Sequence, residues 1–132
     1  MDKQQAYYSL WSRFGLLAFE ENSVPSQDEL KKIADKSKLP SDRYITYQVI
    51  LDDLDAPVYP TASLWYRSTS WNDIDYKLTE IAAEIEDMQP IPLDEGYMYV
   101  TKGSPFAQRM AEEDRTVKRY VINLGVEFLT KY

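Results

Sequence analysis

The chain contains no cysteine and no histidine among its 132 residues. It therefore forms no disulfide, and it cannot build the zinc sites that depend on these two residue types. The same absences exclude cysteine nucleophiles, Ser-His-Asp triads and histidine acid–base catalysis. Any catalysis would depend on carboxylates, Lys, Arg, Tyr, Ser or Thr. This narrow repertoire favours a binding or structural protein over an enzyme, and we expect no cofactor.

Long apolar runs are also missing, since none approaches the ~20 residues that a membrane-spanning helix needs. The first residues, MDKQQAYYSLW, lack the basic start, apolar middle and small-residue cleavage site of a signal peptide. We therefore expect a protein made in the cytoplasm, without direct membrane binding. With 44% hydrophobic residues in 132, the chain is suited to a single domain over residues 1–132.

Charge is unevenly distributed along the chain, whose net charge is -7. Residues 44–114 hold fourteen acids and four bases, whereas residues 115–132 hold one acid and four bases. Because phosphate contacts need Lys and Arg, the acidic middle argues against direct nucleic-acid binding. A solvated acidic face explains this segment. The alternative is that acidic and basic surfaces meet between identical subunits.

An amphipathic pattern predicts a helix over residues 70–89. Its apolar residues recur at three- and four-residue spacings, and acids occupy the opposite face. Ser70 with Asp73 indicates a capping-box variant at the start, and Pro90 and Pro92 prevent continuation past the end. Such a helix must lay its stripe on another element, and we expect a sheet. The stripe consists of Ile74, Leu78, Ile81, Ala82, Ile85 and Met88.

The remaining patterns predict a second helix and four strands. The helix spans residues 3–17 with Asp2 as its cap, and the strands span residues 44–51, 61–69, 97–102 and 117–129. Between them, residues 26–43 form a surface connection with one or two helical turns, and residues 103–116 form a loop. The predicted fold is α+β, with one mainly antiparallel sheet of about four strands and two main helices on one face. The element order is α-β-β-α-β-β.

Acidic residues cluster after the first predicted strand, at Asp52, Asp53 and Asp55. Their spacing lacks the glycine and the distal glutamate of an EF-hand loop. An acidic hairpin tip explains them at least as well, so we predict no metal site.

Two stretches carry a resemblance to a known family: SLWYRSTSW at residues 63–71 and KGSPFAQRMAEEDRTVKRYVINLGVEFLT at residues 102–130. Together with the preceding FEENSVP and YITYQV, they resemble small proteins of the head-to-tail region of long-tailed bacteriophages. The likeness is to the tail terminator, also called the tail completion or tail-to-head joining protein. It covers most of the chain from Phe19 onward, and the region around residues 27–36 matches least.

The resemblance implies an α+β protein that is neither an enzyme nor cofactor-dependent. It implies a ring, usually a hexamer, that caps the tail tube and provides the surface to which the head attaches. The implied partners are other copies of the chain, the tail tube protein and a head-completion or connector protein. The implied location is the head–tail interface of the virion, with assembly in the host cytoplasm.

Arginines beside aromatic residues supply candidate interface positions, because Arg, Trp and Tyr dominate interface hot spots. The first group is Trp65, Arg67 and Trp71. The alternative is that Trp71 packs onto the helix start and that Arg67 pairs with Asp73 or Asp75.

A second group of candidate interface residues lies in the predicted loop. Phe106, Arg109 and Met110 are spaced as one face of a single helical turn. The alternative is that Phe106 folds back onto the domain's own core.

Two other functions remain open from the sequence. One is another neck or head-completion protein of the same virion. The other is an acidic inhibitor or immunity-type protein that presents its negative face to a basic partner.

Overall fold

In a computed structural model, the chain is described over residues 1–51 and 56–130, so Asp52, Asp53 and Asp55 lie outside the described residues. Within these two ranges, the chain forms three helices and six strands. The helices are α1 (Lys3–Ser12), α2 (Gln27–Ser37) and α3 (Asn72–Glu86). The strands are β1 (Leu17–Glu20), β2 (Arg43–Tyr47), β3 (Thr61–Arg67), β4 (Ile91–Leu93), β5 (Gly96–Met110) and β6 (Val117–Thr130).

The six strands form one mixed sheet in the order β1-β2-β3-β6-β5-β4. β1 pairs with β2 in parallel, and all other neighbours are antiparallel. The predicted sheet of about four mainly antiparallel strands, and the order α-β-β-α-β-β, are therefore wrong. The prediction missed the two edge strands and gave α2 only as one or two helical turns of a surface connection.

The helices lie on both faces of the sheet. The apolar faces of α1 and α3, including Leu10 and Ile81, pack with Ile45, Leu64 and Ile122 of the sheet in the main core. α2 packs on the opposite face, where its Leu30 and Ala34 meet residues of β1 and β2: Leu17, Phe19 and Tyr44. The expectation that the main helices share one face thus describes α1 and α3 but not α2.

The end of α1 lies five residues before its predicted position. Asp2 does cap α1, and it forms a capping box with Gln5. The helix stops at Ser12, and Gly15 then adopts a left-handed φ of 73°. Leu17 and Ala18, which fit the helical spacing, instead pair with Tyr44 and Ile45 as β1. Tertiary pairing here overrides the local pattern.

The segment over residues 26–43 is more ordered than predicted. Ser26 caps α2 by accepting a hydrogen bond from the backbone N–H of Glu29. The helix runs for 11 residues to Ser37, and its C-cap residue Lys38 has a left-handed φ of 57°. A helix of this length buries one apolar face, and α2 packs that face on the β1–β2 end of the sheet.

The predicted loop over residues 103–116 is mostly strand. β5 continues to Met110, and residues 107–110 pair with residues 122–119 of β6. Between Lys102 and Ala107 the register shifts, so four residues of β5 stand opposite Asn123 alone. This bulge holds Gly103 and a cis Ser104–Pro105 peptide bond. Asn123 secures the bulge by donating a hydrogen bond from Nδ2 to the carbonyl of Pro105 at 3.0 Å.

The start of α3 also differs from the prediction. Trp71 is its N-cap residue, and no side chain caps the helix. Ser70 does accept a hydrogen bond, from the backbone N–H of Asn72 at 3.2 Å. The predicted capping box of Ser70 and Asp73 does not form.

Candidate protein-interaction surface

α2 covers the β1–β2 end of the sheet's second face, and no helix of the described residues packs on the β3, β6 and β5 part of that face. We call the uncovered face the side of β3, β6 and β5 that is turned away from α1 and α3, beyond the area that α2 covers. Alternation along β6 places Arg119, Asn123 and Leu129 there, while Ile122 and Phe128 point into the core. This face has room for a partner.

Trp65 lies on the uncovered face, but its ring is held by neighbours in the same chain. Its Nε1 donates to Oγ1 of Thr46 at 2.9 Å, and its ring stacks on Tyr44 with centroids 6.4 Å apart. Arg119 is the register partner of Trp65 on β6, and its guanidinium carbon lies 4.6 Å from the ring centroid. These contacts make Trp65 a rigid, half-buried element of the surface.

Arg67 is exposed at the end of β3, and its carboxylate partner is neither Asp73 nor Asp75. It pairs with Asp114 at 3.6 Å and donates to Oγ1 of Thr116 at 3.2 Å. Hydrogen bonds from the hydroxyl and the backbone N–H of Thr116 lower the pKa of Asp114, and Arg67 adds to this effect. Arg67 thus ties β3 to the turn between β5 and β6.

Trp71 and Arg109 meet on the opposite side of the sheet, at the start of α3. The guanidinium carbon of Arg109 lies 4.4 Å from the Trp71 ring centroid. Arg109 donates from Nε to the Tyr120 hydroxyl at 2.8 Å and pairs with Asp75 at 2.9 Å, while the Tyr120 hydroxyl donates to Asp75. The bond to Tyr120 is the main reason that the pKa of Arg109 is raised. Arg109 therefore joins β5, β6 and α3 within the domain.

Phe106 and Met110 complete the predicted positions, and the structure separates them. Phe106 lies in the bulge and packs against the main core. Met110 pairs in register with Arg119, so it lies on the uncovered face, with 39% of its surface exposed. Phe106, Arg109 and Met110 do not form one helical face, because the segment is a strand whose neighbouring side chains alternate.

The most exposed apolar side chains of the uncovered face were missed by the sequence reasoning. Tyr97 and Leu129 pair directly, and Tyr99 is two residues further along β5 on the same side. Their exposed fractions are 51%, 43% and 40%. Tyr59, 70% exposed, follows Val58, whose bridge to Val126 places it beside the same end of β6. We call these four residues the tyrosine patch. Alternation in GYMYV could have indicated it.

The described ranges contain no group of three or more acidic residues placed to hold a metal ion. Within those ranges, no helix has the length and apolar character to cross a membrane. No protein-family model matches the chain, and no curated protein matches it either.

Proposed function

We propose that the protein is a structural component of a long-tailed bacteriophage, a tail terminator that caps the tail tube as a ring and joins it to the head. The observation that supports this proposal best is the tyrosine patch on the uncovered face of the sheet. Tyr97 and Leu129 pair across the two strands with Tyr99 beside them, and clustered exposed apolar side chains on a small domain mark protein–protein contacts. Tyrosine is also among the residues enriched in binding hot spots. The resemblance of residues 63–71 and 102–130 to tail terminators is our reason for proposing the head-to-tail region of a phage as the assembly.

The arrangement of the other candidate residues supports the proposal in a different way. Arg67, Trp71 and Arg109 make hydrogen bonds, ring contacts and ion pairs with other residues of the same domain. They make the two long strands β5 and β6 a rigid platform. A rigid platform binds with less loss of side-chain freedom than a mobile loop does. In this proposal the patch makes the contact, and the arginine clusters order the opposite end of the same two strands, where Arg109 pairs with Tyr120.

The experiment combines the purified chain with tail tubes assembled from the tube protein of the same virus. The expected result is rings on the tube ends in electron micrographs, and tubes that stop lengthening. The double variant Tyr97→Ser with Leu129→Ser should fold normally but leave tube ends bare. Tyr76→Ser, at a position 79% exposed on α3, is the matched control and should cap like the unmodified chain. Tubes that lengthen freely beside the unmodified chain would contradict the proposal.

Two alternatives predict different outcomes in the same experiment. Another neck or head-completion protein would bind the head connector and leave bare tube ends. An acidic inhibitor would stay a monomer or dimer under all conditions and bind a basic protein instead. Mass measurement with and without tubes separates these outcomes.

A further inference from the structure

The fifth strand has a free edge beside α3. β4 pairs only with residues 96–98 of β5, and β6 occupies the other side of β5. Residues 99–102 therefore have a strand neighbour on one side only. The bulge that begins at Gly103 ends this edge. A short open edge of this kind is where an extended chain can add as a further strand.

The hydrogen bonds of β6 identify which backbone groups point to the free edge. Val126 exchanges both of its backbone hydrogen bonds with Val58, and Leu124 donates to Pro60 at 3.2 Å. These groups are thus directed away from β5. In an antiparallel pair, the partners of such residues also point outward, and these partners are Val100 and Lys102. The N–H and C=O groups of Val100 and Lys102 consequently face the free edge.

A groove runs along this edge. It lies between the end of α3 and β5 and has a volume of about 480 Å³. Its apolar wall comes from Ile85, Met88 and Pro90, and its other wall is residues 99–102. Val100 points to this side, because it pairs with the buried Val126 and packs against the main core. A side chain opposite Val100 on an added strand would enter the groove.

The surroundings of the groove are acidic. Residues 84–95 hold five exposed acids and no base; Glu86 lines the groove, and Asp94 pairs with the N-terminal ammonium. Lys102 is the one base of the groove lining, and it pairs with Glu86 at 3.4 Å. An occupant with basic residues would therefore find complementary charge on the rim.

From these observations we infer that the free edge of β5 binds an extended, basic segment of a partner protein, which adds as a strand beside Val100 and Lys102. The segment has a small apolar residue opposite Val100, which fills the groove, and lysine or arginine at its ends. On the other side of the added strand, a residue opposite Tyr99 extends the tyrosine patch. The inference goes beyond the proposed function, because it would apply to any protein-binding role of this face.

The test uses isotope-labelled protein and a short capped peptide in which valine alternates with threonine and both ends are lysine. Amide chemical shifts are followed as the peptide is added. The expected result is that the amides of Val100 and Lys102 shift most and become slow to exchange with solvent. In the free protein these two amides should exchange faster than those of Tyr99 and Thr101, which face β6. A peptide with glutamate ends should bind about tenfold more weakly, because its charge repels the rim.

Two variants at one position separate strand addition from simple side-chain contact. Val100→Pro removes the outward N–H and should weaken binding about threefold to tenfold, the effect of one hydrogen bond. Val100→Thr keeps that N–H and a β-branched shape, so binding should stay within about twofold. Should the proline variant fail to fold, a peptide with N-methylated backbone, which cannot pair, gives the same test on the unmodified protein.

The inference is overturned if the amides of Val100 and Lys102 do not respond to the lysine-ended peptide. It is also overturned if binding survives N-methylation of the peptide. Protection of the same amides by raising the protein concentration alone would show that a second copy occupies the edge, and this too would overturn the inference. None of these outcomes depends on tail tubes, so failure here is distinct from failure of the tube-capping experiment.

Discussion

Replacing Gly103 with alanine tests the close packing of the β5 bulge against β6. A Cβ atom at this position would lie 2.7 Å from the carbonyl oxygen of Asn123 and 2.9 Å from its carbonyl carbon. Both are backbone atoms of β6, so no side-chain rotation can relieve the contact. β6 is also held by β3 on its other side, where Asn123 pairs with Thr61. The strand cannot move without disturbing a second ladder.

The cost follows from two opposing effects. Overpacking of this kind costs about 1–3 kcal/mol. Alanine restricts the unfolded chain more than glycine does, which returns about 0.4–1 kcal/mol. Taking the middle of each range, we expect Gly103→Ala to lower the free energy of unfolding by about 1.3 kcal/mol. For a chain of this length, the corresponding fall in Tm is about 4–6 °C.

The matched control for this prediction is Gly125→Ala. There the new Cβ would meet only Oγ1 of Thr101, at 2.8 Å. That atom ends a rotatable side chain, so Gly125→Ala should cost less than Gly103→Ala while gaining the same unfolded-state effect. Urea unfolding followed by circular dichroism measures both. Equal losses in the two variants, or no loss in Gly103→Ala, would refute the close packing that we describe.

Three further predictions concern the core, the pH dependence and the surface charge. Ile81→Asp buries an unpaired charge and should cost several kcal/mol, against little change for the exposed control Tyr76→Asp; equal melting temperatures would contradict the orientation of α3. Burial raises the pKa of Tyr7 to about 12, although its hydroxyl donates to the carbonyl of Ile50 at 2.7 Å. The folded pKa lies above the ordinary value of 10.0. The contribution of Tyr7 to the free energy of unfolding should therefore be fully present below pH 10 and be lost as the pH rises towards 12. Urea unfolding at several pH values should show a shallower fall in Tyr7→Phe, and an unchanged slope would contradict this. Fluorescence anisotropy should detect no binding of duplex DNA at physiological salt, because the middle segment is acidic; tight, salt-sensitive binding would contradict this expectation.

Several elements were predictable because local chemistry decides them. The apolar stripe of α3 and the cap at Asp2 depend on residues a few positions apart, and both form as predicted apart from the bounds. The alternation along residues 117–129 identified β6 for the same reason, since one face is buried along its length. Candidate site residues were less predictable. Arg109 and Met110 are neighbours in sequence, yet strand geometry places them on opposite sides of the sheet.

The sequence by itself determined the exclusion of cysteine and histidine chemistry, the acidic middle segment, the stripe of α3 and the alternation of β6. Only the tertiary structure decided the secondary structure of Leu17. This residue fits the helical spacing of its neighbours, but it lies in β1 and pairs with Tyr44 of β2. It likewise made residues 107–110 a strand, since pairing with β6 satisfies backbone groups that a loop would leave to solvent. The side chain of Tyr97 is exposed because none of the three described helices covers that part of the sheet. Strand pairing and helix placement join residues distant in sequence, and a local pattern carries no information about such neighbours.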